Sequence, residues 1–310
     1  MSGPSPAPWH VDGLVDAGGQ RLYVLRRLGT GPTVVLCSAL GLVCSDWAAV
    51  CALLPGVDVV TYDRPGNGYS PSPDPAWPDR RPATLDEEAA RLAAVGPAVA
   101  AGPPYVLVGH SSGGLYAQAF ARMHPQLTAG VVLVDASSAR ALPDQTLAAV
   151  RHRLRTALFR SGLAQLFGPS GRRLMVWAQS LRGADPLAGS ERRHIYGGDG
   201  VRGVLAELDG FAAAAARLAE LERTGPLPGV PTTVVTAAST GRPLRRRDRS
   251  WIAEQERLVR TVGAGRWRVV DDAAHLLPLD RPGVVAEEIR RLLHEVQDQR
   301  PRRTPGNRAR

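Results

Sequence analysis

Two kinds of apolar run alternate along this chain of 310 residues. Short, almost unbroken ones, TVVLC, VDVVTY, YVLVGH, AGVVLVD, PTTVVTA and RWRVV, have the length and β-branched content of strands buried on both faces. Between them lie segments whose apolar residues recur every three or four positions, the period of an amphipathic helix. These are DWAAVCALL, TLDEEAARLAAVGPAV, LYAQAFARM, RDRSWIAEQERLVRTV and PGVVAEEIRRLLHEV. Thr84 and Glu87 form a capping box at the start of the second. Near the beginning, HVDGLVDAGGQRLYVLRRLG reads as two strands around a Gly-Gly turn. Strands alternating with helices predict an α/β fold, a mostly parallel sheet with helices on both faces.

The alternation lapses once. From Ser138 to Gly229 there is no convincing strand, only amphipathic pieces such as QTLAAVRHRLRTALF, with Leu147, Val150, Leu154 and Leu158 in helical register. The expected organisation is a disordered start over 1–9, a first core segment over 10–137, a helical insertion over 138–229, a second core segment over 230–296 and a disordered basic tail over 297–310. The tail's QRPRRTPGNRAR offers five arginines and nothing from which to build a core.

Composition adjusts this picture little. The net charge is +9, which permits nucleic-acid or anionic-surface binding, but every basic side chain is arginine amid heavy use of Ala, Gly and Pro. That bias fits codon usage better than a phosphate-binding surface, so no nucleic-acid partner is expected. Arg151, Arg153, Arg155 and Arg160 read as one solvated helix face. No apolar run reaches the roughly 18 residues that span a bilayer, and MSGPSPAPWH lacks the pattern of a secretory leader. The expectation is a soluble, cytoplasmic protein without a stable membrane anchor. Cys37, Cys44 and Cys51 are an odd count, which argues against a disulfide framework, their spacing of seven fits no metal motif, and they read as small buried hydrophobes.

The chemistry gathers at Gly109-His110-Ser111-Ser112-Gly113, a G-x-S-x-G between an apolar strand and a helix. At such an elbow a serine is held in strained backbone with its hydroxyl above the sheet edge, while the next helix aims its N-terminus at developing negative charge. A serine hydroxyl needs a base with a pKa near neutrality. Of the seven histidines, His10 lies in the start, His124 ends a helix, His152 and His194 belong to the insertion and His294 to the last helix. His110 adjoins the serine but is expected to project away from it. His275, in VVDDAAHLLPLDRP, follows a late strand and can return to the same edge.

On GHSSGG, the order of serine before a late histidine, YDRPGNGYS, the SALG turn and AAHLLPLDRP, the chain resembles the α/β-hydrolase fold superfamily over roughly residues 10 to 296. The resemblance implies an eight-stranded, mostly parallel sheet with the insertion as a helical cap, and acyl transfer through a covalent Ser111 ester with His275 as general base. It also implies an oxyanion hole of backbone N–H groups, one from Ser112 and one from the turn after the third strand. That turn commonly contains His-Gly; this chain has Ser38-Ala39-Leu40-Gly41, with Leu40 as the expected donor. Asp63 and Arg64 read as architectural.

Family members often carry the triad acid just beyond the strand matching PTTVVTA, where this chain has Thr240. Asp135, ending the strand after the nucleophile helix, is the leading substitute, because some members take their acid from that strand. Asp248 is the alternative; Asp271, Asp272 or a dyad without an acid stay open. The expected activity is hydrolysis of a small, apolar acyl substrate, an ester, thioester or lactone, with no metal or organic cofactor. Leu147, Val150, Leu154, Leu158, Phe159, Leu163, Leu166, Phe167, Met175 and Trp177 are candidates for an acyl pocket, although helical spacing favours core packing for most. Acyl transfer to another acceptor, amide cleavage and a non-catalytic small-molecule-binding protein on the same fold are the alternatives.

Overall fold

The computed structural model describes residues 9–72, 82–140, 154, 157, 161–182, 184–197, 200–224, 227, 229–238 and 248–299. Eight strands form one sheet: β1 (Val11–Asp16), β2 (Arg21–Arg27), β3 (Thr30–Cys37), β4 (Val57–Tyr62), β5 (Tyr105–His110), β6 (Thr128–Val134), β7 (Thr232–Ala237) and β8 (Arg266–Val270). Their spatial order is β1-β2-β4-β3-β5-β6-β7-β8. The Gly-Gly hairpin makes β1 antiparallel to β2, and β2 pairs antiparallel with β4; every later pairing is parallel. The mostly parallel sheet is as the alternating runs predict, and its eight strands are as the resemblance to the α/β-hydrolase fold implies.

Burial explains which runs carry no alternation. β5 and β7 are buried at every position, whereas β1 alternates along its length and β8 along most of its own. Interior strands have helices on both faces and edge strands do not. On one face α2 (Leu85–Ala98), α3 (Gly113–Met123) and α6 (Val201–Arg223) cover Val24, Val35, Leu107 and Leu133. On the other, α1 (Ala48–Ala52) and α9 (Pro282–Gln299) cover Leu36, Val108, Val132 and Val235. The capping box forms as expected, Thr84 Oγ1 accepting from Glu87 N–H (3.2 Å) and Glu87 from Thr84 N–H (2.8 Å).

The insertion contributes α4 (Leu163–Gln179), α5 (Gly189–Tyr196) and α6, with no strand among its described residues. Two further helices, α7 (Asp248–Val262) and α8 (Leu277–Asp280), complete the second core segment. Two boundaries differ from the expected ones. DWAAVCALL makes a 3₁₀ turn and only a short helix, and α9 continues to Gln299, into the segment expected to be a tail. Among the described residues no helix is long and apolar enough to cross a membrane.

Parallel register places the chemistry. Cys37 pairs with Gly109, His110 with Val134, and Val134 with Val235, so β3, β5, β6 and β7 end side by side. The next residues in the chain are Ser38, Ser111, Asp135 and Ala238. Residues far apart in sequence are therefore delivered to one sheet edge.

Candidate active site

The GHSSGG elbow forms because two glycines admit close backbone contacts. A Cβ on Gly113 would sit 2.1 Å from the Cys37 carbonyl oxygen, and one on Gly109 would sit 2.5 Å from that of Gly113. Ser111 takes φ 50°, a left-handed conformation that few residues other than glycine adopt. Its N–H donates to Val134 O (3.2 Å) and its carbonyl accepts from Gly114 (2.9 Å) and Ser137 (2.9 Å), which fixes the strained turn.

Three expected residues meet here. The Ser111 hydroxyl lies 2.9 Å from His275 Nε2, and His275 Nδ1 lies 2.6 Å from Asp135 Oδ2. A carboxylate only accepts, so the His275 proton sits on Nδ1 and Nε2 is left to accept from the serine. Asp135 also has positive φ, 42°, and is 1% exposed. A buried carboxylate demands partners: its Oδ1 accepts from Ala237 N–H (3.0 Å) and from the indole N–H of Trp251 (2.8 Å). Trp251 stands in α7 and also meets the His275 ring edge-on, 5.8 Å between centroids.

Among the other candidate acids, Asp271 and Asp272 are exposed, and Asp272 pairs with Arg281. Asp248 begins α7, its side chain lying outside the described residues, as does Thr240.

His110 has a role beyond the expected one: its ring approaches His275, and Nε2–H donates to the His275 backbone carbonyl (2.8 Å). Burial, reinforced by the neighbouring His275, pushes its pKa down to about 3, so His110 is a neutral donor that anchors the His275 loop. Asp280 does the same from the other side, accepting from Ala274 N–H (2.9 Å) and from Leu181 N–H (2.9 Å) and Ser180 Oγ (2.5 Å) at the end of α4.

The Ser38-Ala39-Leu40-Gly41 turn adjoins the elbow. Among the described residues neither the Leu40 nor the Ser112 N–H has an acceptor. Arg64, expected to be architectural, donates to both Ser38 O (2.7 Å) and Ala39 O (2.8 Å). Asp63 accepts from Cys44 N–H (2.7 Å) and Tyr69 N–H (2.9 Å), while burial pushes its carboxyl up to about 6. The three cysteines are buried and free, as expected, and burial raises the thiols of Cys37 and Cys51 to about 12.

The acyl-pocket candidates fare differently. Leu147, Val150, Leu158 and Phe159, and the side chain of Leu166, lie outside the described residues, as do Arg151, Arg153, Arg155 and Arg160. Leu154, Leu163, Phe167 and Trp177 are exposed, contrary to both the pocket and the core-packing expectation. α4 turns Arg172 and Val176 inward, Arg172 bidentate to Asp46 and bonded to Asp185, and leaves Leu163, Phe167, Leu174 and Trp177 outward. Among the described candidates, Met175 alone keeps the expected direction, beside Ala39, Leu42 and Leu276.

Trp251, His110 and Asp280 carried no sequence signal of their roles. Each works through a backbone group or a carboxylate that only the folded edge brings near. No cluster that could hold a metal ion exists among the described residues.

Comparison with known proteins gives a consistent frame. The model of the alpha/beta hydrolase family matches residues 34–288. Polyketide synthase ThaQ of Burkholderia thailandensis is 30% identical over 268 residues, 80% of this chain and 11% of that protein. The chain spans only 11% and 16% of the lengths of the curated relatives it matches. Among solved structures, a thermophilic esterase from Thermogutta terrifontis is similar with a TM-score of 0.67 and 25% identity, covering 94% of this chain and 99% of that one. An enol-lactonase from Burkholderia xenovorans has a TM-score of 0.64 and 20% identity, covering 91% and 99%.

Proposed function

The chain belongs to the alpha/beta hydrolase family, and on that footing we propose that it is a serine hydrolase cleaving a carboxylic ester, thioester or lactone. The observation that carries the reading is the unbroken chain of contacts from Ser111 through His275 to Asp135. As Ser111 Oγ attacks the acyl carbon, its proton passes to His275 Nε2, and Asp135 stabilises the imidazolium. The N–H groups of Leu40 and Ser112, lacking other acceptors among the described residues, receive the oxyanion. Collapse expels the alcohol, thiol or enol with the proton returned by His275. A water deprotonated by the same imidazole then releases the acid. No metal or organic cofactor enters this scheme. The substrate is a small, apolar acyl compound, and the inserted helices act as the cap that bounds it.

The proposed setting is the cytoplasm, where free thiols stay reduced; activity confined to a secreted or membrane fraction overturns that part. Likeness to a segment of a polyketide synthase favours one second reading, in which the acyl group passes to an acceptor other than water. Both share the acyl-enzyme, and product analysis with added alcohols or amines separates them.

A fluorophosphonate probe and a series of p-nitrophenyl esters test the proposal. Wild type is expected to label and turn over, and Ser111→Ala to do neither. Asp135→Asn should lower kcat by roughly 10²–10⁴-fold while the protein stays folded. Folded wild-type protein that neither labels nor turns over any ester of the series overturns the reading in favour of a binding protein. Unchanged turnover in Asp135→Asn removes Asp135 as the acid.

A further inference from the structure

The turn that carries Leu40 is held from outside the core. Gly41 N–H donates to Glu207 of α6 (3.1 Å), and Gly41 O accepts from the Tyr196 hydroxyl at the end of α5 (2.6 Å). Tyr196 in turn accepts from Arg172 of α4 (3.1 Å). All three described helices of the insertion thus converge on one residue of the turn. Gly41 itself has φ +68°, and a Cβ there would meet Val204 of α6 at 3.2 Å.

Glu207 does more than meet Gly41. It accepts from Arg64 Nη2 (3.0 Å), from Arg64 Nε and from Asn67 Nδ2 (2.9 Å). The guanidinium so oriented is the one that grips the carbonyls of Ser38 and Ala39, with the Tyr116 ring against its face, 5.3 Å from the centroid.

Peptide planarity turns these bonds into a constraint on Leu40. Ala39 C=O and Leu40 N–H belong to one trans peptide and point in opposite directions. When Arg64 draws the carbonyl towards itself, the N–H must aim the other way. The next peptide is fixed likewise, because Gly41 N–H is directed at Glu207.

We propose that Glu207 is a positioning residue for the oxyanion-binding turn, so that the insertion completes the oxyanion hole instead of only covering the substrate. This rests on the serine-hydrolase reading above. Arg64 and Tyr196 are its working partners: one orients the peptide before Leu40, the other holds the carbonyl of Gly41.

The test uses the full chain, with Glu207→Gln and Tyr196→Phe compared with wild type for melting temperature, kcat, KM and inhibition by phenylboronic acid. The boronate forms a tetrahedral adduct whose oxygen mimics the oxyanion. Glu207→Gln should lower kcat by about 10–100-fold and weaken boronate binding by a similar factor, with KM within about twofold. Tyr196→Phe should lower both by a smaller factor and keep its fold, since Arg172 retains Asp46 and Asp185. It decides the matter on the same criteria if Glu207→Gln does not fold. Folded variants with wild-type kcat and boronate affinity overturn the proposal, and so does a lower melting temperature with kcat unchanged. Loss of activity in wild type would instead sink the serine-hydrolase reading, and this inference with it.

Discussion

At the scale of single residues, the site is a set of hydrogen bonds whose directions leave few alternatives. His110 shows how such a bond becomes measurable. In the unfolded chain it takes up a proton near its ordinary 6.5, and in the fold near 3. Between those values the unfolded state binds more protons. The stability His110 contributes is therefore fully present above about 6.5 and is lost as pH falls towards about 3. Asp63 has the opposite sign: its carboxyl is raised from 3.8 to about 6, so its contribution is present below 3.8 and lost as pH rises through about 6. A raw stability curve mixes the two, but the difference between wild type and His110→Gln cancels Asp63. Glutamine can still donate to the His275 carbonyl. Denaturant unfolding should show wild type losing stability relative to His110→Gln as pH drops below about 6.5. A gap independent of pH contradicts burial of a neutral imidazole.

At the scale of elements, what was legible in the sequence is what local pattern controls. The strands, the Thr84–Glu87 cap and the elbow are each specified by neighbours within a few residues, and each formed as expected. The orientation of α4 was not legible, because its apolar spacing predicts a buried leucine face while Arg172 has buried carboxylates to satisfy. Those carboxylates, Asp46 and Asp185, lie outside the helix, and apolar periodicity along it does not register them. The missing carboxylate after β7 was visible as a departure and Asp135 as its leading substitute, and Asp135 does meet His275; the Trp251 indole that holds Asp135 was not legible, because the contact joins residues 116 apart. The elbow supplies a prediction at this scale. In Gly113→Ala the new Cβ would overlap the Cys37 carbonyl oxygen, a backbone atom of β3 that cannot rotate away. Stability should fall by at least the upper end of the roughly 1–3 kcal/mol that overpacking costs. Turnover of whatever remains folded should fall as well, since the strain moves β3 against the nucleophile. Circular-dichroism melts that superimpose on wild type contradict the close packing of α3 on β3.

At the scale of the whole molecule, the question is what fastens the insertion to the core. α6 is fastened by packing, with Ala214, Ala215 and Leu218 in the main core cluster, but α4 and α5 share only small apolar clusters with the core and much of α4's apolar face is outward. Polar links supply the rest: Arg172 to Asp46, Glu207 to Arg64, and Asp280 to the end of α4. Arg172 forms the deeper of the two ion pairs, its side chain 0% exposed and its Asp46 partner 2%. The Asp46 carboxylate keeps the guanidinium charged against the cost of burial. Removing one member of a buried pair leaves an uncompensated charge and costs about 3–5 kcal/mol, more than the net worth of the pair itself. Arg172→Met, which keeps apolar bulk but strands Asp46 and leaves Asp185 with Arg192 as its remaining cation, should therefore destabilise by that amount. The loss should be local at first. Hydrogen exchange is expected to rise over α4 and α5 before it rises over β5 and β6, because the sheet keeps its own two apolar layers. Replacing Asp46 by Asn in the same chain should recover part of the stability by neutralising the stranded carboxylate. If the single variant exchanges uniformly, or the double variant is no better than the single one, the insertion is held by packing, and the buried ion pair is incidental to its position.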